Sequence, residues 1–350
     1  MPPTPHSSPS VLRAAVLGAS GYVGTELLRL VAGHPHLDVA YAAGDSQAGQ
    51  RAASVYPSLA TRYPNLVFED VDLDRARQCD VVFSCLPHEA ALEIVPALHN
   101  TVRLVVDLSA AFRLLDTSLY PRWYGFEHSH PELVAEAVYG LPELYRDRLA
   151  GARLVAPPGC YVTAASLAIA PLVATGLIDP RGVIVDAASG VSGAGKAAKP
   201  TTHFNTVDED FTAYGLLDHR HTPEMEQVTK AQILFTPHLA PMNRGILATC
   251  YARPAAGSSP TTPGVLAALA KAYAKEPFVS VSPQIPSTKA TLGTNSVQLT
   301  ARFDERTGYV VVIAALDNLA KGASGGAMQA ANVALGIDEH LGLSQVGMYP

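Results

Sequence analysis

Cys160 is the residue whose setting points most directly to chemistry. It stands in Pro157-Pro158-Gly159-Cys160-Tyr161-Val162-Thr163, a loop that runs into a strongly apolar stretch ending near Gly176. A thiol where a loop becomes a helix has its thiolate stabilised by free amides and the helix dipole, which lowers its pKa and makes it a nucleophile. Cys79, Cys85 and Cys250 lie in or beside apolar, strand-like runs and read as buried, inert thiols. Four scattered cysteines with no C-x-x-C pair suit neither a disulfide framework nor a zinc site, so no metal is expected.

A second constellation is a glycine loop. Gly18, Gly21 and Gly24 recur at three-residue intervals where the apolar run VLRAAVL gives way to a helical pattern over Thr25–Ala32. Glycines at a strand-to-helix turn let backbone amides approach a pyrophosphate at the helix N-terminus. Gly18, Ser20, Gly21, Tyr22, Val23 and Gly24 are therefore candidates to bind a dinucleotide. The residues leave its identity open. Asp45, after the second strand, suits a ribose 2′-OH, whereas Ser46 with Arg51 suits a 2′-phosphate.

These groups need a frame. Apolar strands recur at Leu37–Ala43, Asp80–Ser84 and Arg103–Leu108, with a helical stretch at Glu89–Leu98, a rhythm of βαβ units and a parallel sheet. A first domain is placed at residues 1–155. From 156 to 320 the texture changes to a mixed or antiparallel α+β domain: a strand at 183–190, another at 246–254, and two antiparallel strands turning at 304–308. A closing helix is read in the Ala-rich stretch after Lys321, within 321–350.

The composition suits a globular chain: of 350 residues 48% are hydrophobic and 16% charged. A net charge of −6 gives no general attraction to nucleic acid or anionic membrane. No apolar run of ~18 residues free of charges or breakers suggests a bilayer span. The N-terminal MPPTPHSSPSVLRAA reads as a polar leader, not a signal peptide. With free thiols in this number, a soluble cytoplasmic protein is expected.

The segments GASGYVGTELLRL, VVFSCLPH, VDLSAAFR, PPGCYVTAASLAI, HRHTPEM, TPHLAPMNRGIL and DNLAKGASGGAMQ together resemble the N-acetyl-γ-glutamyl-phosphate reductases of arginine biosynthesis, with aspartate-semialdehyde dehydrogenase a more distant relative. The likeness spans about residues 11 to 335. It implies a Rossmann-type domain, completed by the C-terminal helix, plus an α+β catalytic and dimerisation domain. It also implies an acyl-phosphate substrate reduced by NADPH, and a homodimer or homotetramer. The family often has Pro where this chain has Val162, a change that leaves the cysteine chemistry intact; Asp45 near a 2′-phosphate is less usual.

The resemblance also assigns roles. Cys160 would displace phosphate from the acyl group to form a thioester, ready for hydride. His221, in His219-Arg220-His221, would serve as general acid and base. Arg113 would hold the substrate phosphate through its guanidinium fork, with Ser109 helping from the same turn. Asn318 would meet the nicotinamide carboxamide, in a motif that includes Lys321 and Gly322, and Ser189 and Gly190 with the Gly193–Gly195 loop would line the cofactor or the substrate. Three other readings stand beside this one: reduction of a carrier-bound aminoadipate phosphate in lysine biosynthesis, aspartate-semialdehyde dehydrogenase proper, and a non-catalytic NADP sensor.

Overall fold

The computed structural model describes residues 11–350, so residues 1–10 of the polar leader lie outside the described residues. Strands β1 (Leu12–Leu17), β2 (Leu37–Ala43), β3 (Val81–Ser84), β4 (Leu104–Asp107), β5 (Val138–Tyr139) and β6 (Leu154–Ala156) form an all-parallel sheet in the order β2-β1-β3-β4-β6-β5. Every residue of β3 and β4 is buried, as a parallel sheet covered on both faces requires. The strand order reverses between β1 and β3, which opens a crevice at their carboxyl ends. Open α/β sheets take their ligands there.

The glycine loop sits at that reversal. Gly18 adopts φ +78°, and a Cβ on it would stand 2.6 Å from the carbonyl oxygen of Cys85, so only glycine lets the chain turn against β3. The helix Tyr22–Ala32 follows, three residues longer at its start than the sequence pattern suggested. It buries Leu27, Leu28 and Val31 on the sheet and stops at Gly33.

The second sheet holds β7 (Val183–Gly190), β8 (Thr212–Ala213), β9 (Ile233–Ala240), β10 (Ile246–Ala252), β11 (Val279–Val281), β12 (Val297–Asp304) and β13 (Tyr309–Leu316), in the order β11-β12-β13-β10-β7-β9-β8. It is mixed: β7 pairs in parallel with β9 and β11 with β12, and the remaining pairs are antiparallel. The hairpin turn at 304–308 joins β12 to β13. The helix Cys160–Ala174 packs into the core of this sheet and is buried almost all round, which explains why its sequence lacks a polar face. Each of Leu167, Ile169 and Leu172 contributes about 1.5–3 kcal/mol of apolar burial. That packing fixes the first residue of the helix, Cys160.

The chain then returns to the first domain. A π-helical turn, Ala320–Ser324, leads into the helix Gly325–Leu335, whose Ala327, Met328, Ala330 and Ala331 join the core under the parallel sheet. Gly336, at φ +71°, ends it in a left-handed cap, so the helix covers only part of the segment 321–350. A buried ion pair holds the turn: Lys321 Nζ meets Glu143 at 2.5 Å and Gln329 at 2.6 Å. Among the described residues no helix is long and apolar enough to cross a membrane.

Candidate active site

A cleft of about 500 Å³ runs from the glycine loop to Cys160. Gly18, Gly21, Tyr22, Val23 and Gly24 line one end of it. The amides of Tyr22, Val23 and Gly24 fall in the first turn of a helix, where no intrahelical acceptor reaches them. They suit the pyrophosphate of a dinucleotide. Ser20 acts on the loop itself: its hydroxyl donates to the Gly44 carbonyl at 2.7 Å. Ser46 lies exposed in a single turn, Asp45–Gln47, where Asp45 takes φ +42°.

Lys196 is a cation of this cleft that sequence reasoning passed over. It reaches across from the second domain, donates to the Ser20 carbonyl at 3.1 Å and lies 4.9 Å from the centre of the Tyr56 ring. The signal was there: a lysine directly after a glycine-rich loop, Gly193-Ala194-Gly195.

On the far side of Cys160 lies a second cavity of about 390 Å³. Cys160 and His221 line both cavities and so stand where the two meet. The ring of His221 packs directly on Gly159, in space that any side chain there would fill. On the cofactor side, a Cβ on Gly322 would come within 2.8 Å of the Cys160 Cβ, so the π turn presses on the cysteine as closely as glycine permits.

The expectation of an acidified thiol is corrected. Burial pushes the Cys160 thiol up to about 11, and the helix amides and Arg113 only partly oppose it. Burial, followed by His219 and Arg113, holds His221 well below its ordinary range. At rest the sulfur is protonated and the imidazole neutral, so the pair begins as an acid beside a free base. The other three thiols are also raised by burial, although Cys85 is only half-buried and lines the cofactor cleft.

Arg113 lines the cleft near Cys160. Its Nη2 donates to the Leu108 carbonyl at 2.7 Å, its Nη1 lies 3.6 Å from Glu224 Oε2, and its buried Nε has no partner. Ser109 supports the turn that carries it, donating to Asp107 at 2.6 Å and accepting from the Ala111 amide. Asn318 lines the same cleft; its Oδ1 accepts from the Gly245 amide at 2.8 Å and its Nδ2 donates to Ser192 at 3.0 Å. Ser189 faces the second cavity and not the dinucleotide cleft, and Gly190 packs against the backbone of Asn243 and Arg244.

Sequence reasoning also missed the role of Glu224. It is fully buried, and its Oε1 accepts from Tyr139 at 2.6 Å and from the Gly159 amide at 3.0 Å. A carboxylate three residues after His221, in the first turn of the helix Thr222–Thr229, was the available signal.

Comparison with known proteins accords with this geometry. Residues 13–152 match the NAD binding domain of semialdehyde dehydrogenases, and residues 160–318 their dimerisation domain. The N-acetyl-gamma-glutamyl-phosphate reductase of Geotalea daltonii is 45% identical over 97% of this chain and its own full length. That of Symbiobacterium thermophilum is also 45% identical, over 97% of this chain and 99% of its own. The chain belongs to the N-acetyl-gamma-glutamyl-phosphate reductase family. Solved structures place the reductase fold more widely. Aspartate semialdehyde dehydrogenase II of Vibrio cholerae superposes with a TM-score of 0.68 at 16% identity, over 93% of this chain and 98% of its own. The Candida albicans aspartate semialdehyde dehydrogenase, solved with NADP, gives 0.70 at 17%, over the same shares. At such identities the likeness is one of fold.

Proposed function

We propose that the chain is the NADPH-dependent reductase that converts N-acetylglutamyl 5-phosphate to N-acetylglutamate 5-semialdehyde and phosphate, in arginine biosynthesis in the cytoplasm. The observation that carries the reading is the placement of Cys160 and His221 where a dinucleotide cleft meets a second, acyl-sized cavity.

His221 takes the thiol proton as the sulfur attacks the acyl carbon, and phosphate leaves with the bonding pair to give a thioester. Arg113, beside the sulfur, neutralises charge on the departing phosphate. NADPH bound in the cleft would supply the hydride that reduces the thioester carbonyl. His221 returns its proton to the developing oxyanion, and the thiohemiacetal collapses to release the aldehyde and restore the thiol. The Tyr22, Val23 and Gly24 amides with Lys196 would hold the pyrophosphate, and Asn318 would offer its second amide hydrogen to the carboxamide. In this reading the cofactor is NADP, and Ser46 and Arg51 would meet its 2′-phosphate, with Asp45 beside them. The dimerisation domain supports a homodimer or homotetramer.

Phosphate-dependent reduction of NADP and of NAD, with N-acetylglutamate, aspartate and N-acetylaminoadipate semialdehydes compared, tests this reading. Preference for NADP and the first aldehyde is expected. Preference for another aldehyde reassigns the substrate, and turnover of none leaves a sensor. A carrier-bound substrate would call for a basic docking patch, and the net charge of −6 provides no overall pull toward an acidic carrier.

A further inference from the structure

Met225 and Val228 hold the helix Thr222–Thr229 in the core of the second domain. His221, Glu224 and Gln227 follow one another along one flank of it at three-residue intervals, the spacing that makes helix residues neighbours. Glu224 meets the side chain of Arg113, and Gln227 meets its main chain. The Gln227 Nε2 donates to the Arg113 carbonyl at 2.9 Å, and its Oε1 accepts from the Leu115 amide at 2.7 Å. A primary amide carries one acceptor oxygen and one donor nitrogen, and here both have partners.

This tie crosses from one domain to the other. Within the first domain the Arg113 amide donates to the Ala110 carbonyl, and the Leu114 amide to the Tyr120 hydroxyl. Among the described residues, no other hydrogen bond joins the main chain of 113–115 to the second domain. Other ties hold the seam ahead of the helix. Arg220 Nη1 lies 2.8 Å from His88 Nε2, and the Tyr124 hydroxyl donates to the Arg220 carbonyl at 3.1 Å. Gln227 lines neither cavity, so it reaches the site only through the residue it grips. Arg113 does line the cleft beside Cys160, with its buried Nε left without a partner.

We infer that Gln227 is a positioning residue for the phosphate step: it fixes the Arg113 main chain against the helix that begins after His221. Guanidinium and imidazole then act on one acyl centre at a set separation, where a displacement of 1 Å is already costly. This inference rests on the reductase reading above. His221 keeps its own place without Gln227, because it packs on Gly159, whose amide Glu224 holds. The two halves of the reaction therefore separate. Forming the thioester from the aldehyde, with hydride passing to NADP, draws on Cys160 and His221. In the second half a phosphate oxygen bonds to the acyl carbon, the carbon–sulfur bond breaks, and the phosphate proton passes through His221 to the sulfur. Only that half needs Arg113 held in register.

The test is Gln227→Leu, which removes both bonds at similar volume, in phosphate-dependent reduction of NADP by N-acetylglutamate semialdehyde. The KM for phosphate should rise about five- to ten-fold, the reach of one neutral hydrogen bond, with the KM for NADP unchanged. Without phosphate, the first-turnover burst of NADPH should keep its amplitude and rate. Gln227→Glu keeps an acceptor for the Leu115 amide and loses the donor to the Arg113 carbonyl. It should raise the phosphate KM by less, and it carries the test where Gln227→Leu does not fold. A phosphate KM that stays at the parent value overturns the inference. So does a burst that falls in step with phosphate-dependent turnover, the mark of general loosening. Calorimetric titration with inorganic phosphate needs no turnover and separates this inference from the reductase reading. Weaker binding to Gln227→Leu than to the parent upholds the tie even if no aldehyde reacts, and equal or undetectable binding to both proteins overturns it.

Discussion

The backbone amide of Gly159 donates to Oε1 of Glu224 at 3.0 Å, which ties the loop before the thiol to the helix that begins just after His221. The same carboxylate carries Tyr139 and approaches Arg113, so one buried side chain sets the spacing of three proposed site elements. Glu224→Ala leaves a buried guanidinium without its counter-charge and should cost about 3–5 kcal/mol in stability, read from denaturant unfolding. Glu224→Gln keeps the Oε1 contacts and should fold, with kcat lowered more than KM. A Glu224→Ala protein as stable as the parent contradicts this role.

The raised thiol makes the free enzyme a slow target near neutrality. Thiolate, the form that reacts with iodoacetamide, grows with pH until the pKa is passed, here about 11. Alkylation of Cys160 should therefore accelerate steadily from pH 7 to pH 10, by roughly ten-fold per unit. A plateau below pH 8 would mean that the helix start and Arg113 outweigh burial.

Three histidines at the site share one sign. Burial first, and Arg220 next, hold His88 and His219 down to about 4, and His221 is also lowered. These rings stay neutral in the folded chain while the unfolded chain takes up protons below about 6.5, so the unfolded state binds more protons in that window. The stability they provide is present above pH 6.5 and lost as pH falls toward 4. Unfolding midpoints measured across this window should fall more shallowly for His219→Gln than for the parent; parallel curves would contradict the shift.

Lys196 should act on the cofactor and little on the chemistry. Lys196→Met is expected to raise the KM for NADPH on the order of ten-fold, with kcat at saturation nearly kept and a weaker salt dependence of cofactor binding. Unchanged KM and salt response would leave Lys196 as a strut on Ser20.

Much of this frame is legible in the residues. The strands Leu37–Ala43 and Val183–Gly190 coincide with their apolar runs, and the turn at 304–308 follows from its polar residues between two apolar segments. Strand β9 was harder to read, because Pro237 and His238 interrupt its pattern although it pairs with β7 along its whole length. The cysteine's place is local information: a Pro-Pro-Gly loop before a helix apolar on every side. Its pKa is not local, since it depends on how much of the fold closes over the sulfur. The same holds for Glu224, which meets Gly159 across 65 residues, and for Arg220, which meets His88 across 132.

The thioester at Cys160 carries the whole proposal, and it can be caught from the aldehyde side. N-acetylglutamate semialdehyde and NADP are mixed with the enzyme without phosphate, and NADPH formation is followed by absorbance while intact-protein mass spectrometry locates the adduct. One equivalent of NADPH per site, with an N-acetylglutamyl group on Cys160 that added phosphate discharges, is the expected result. Steady turnover without phosphate, an adduct on another residue, or the same burst from Cys160→Ala would contradict it.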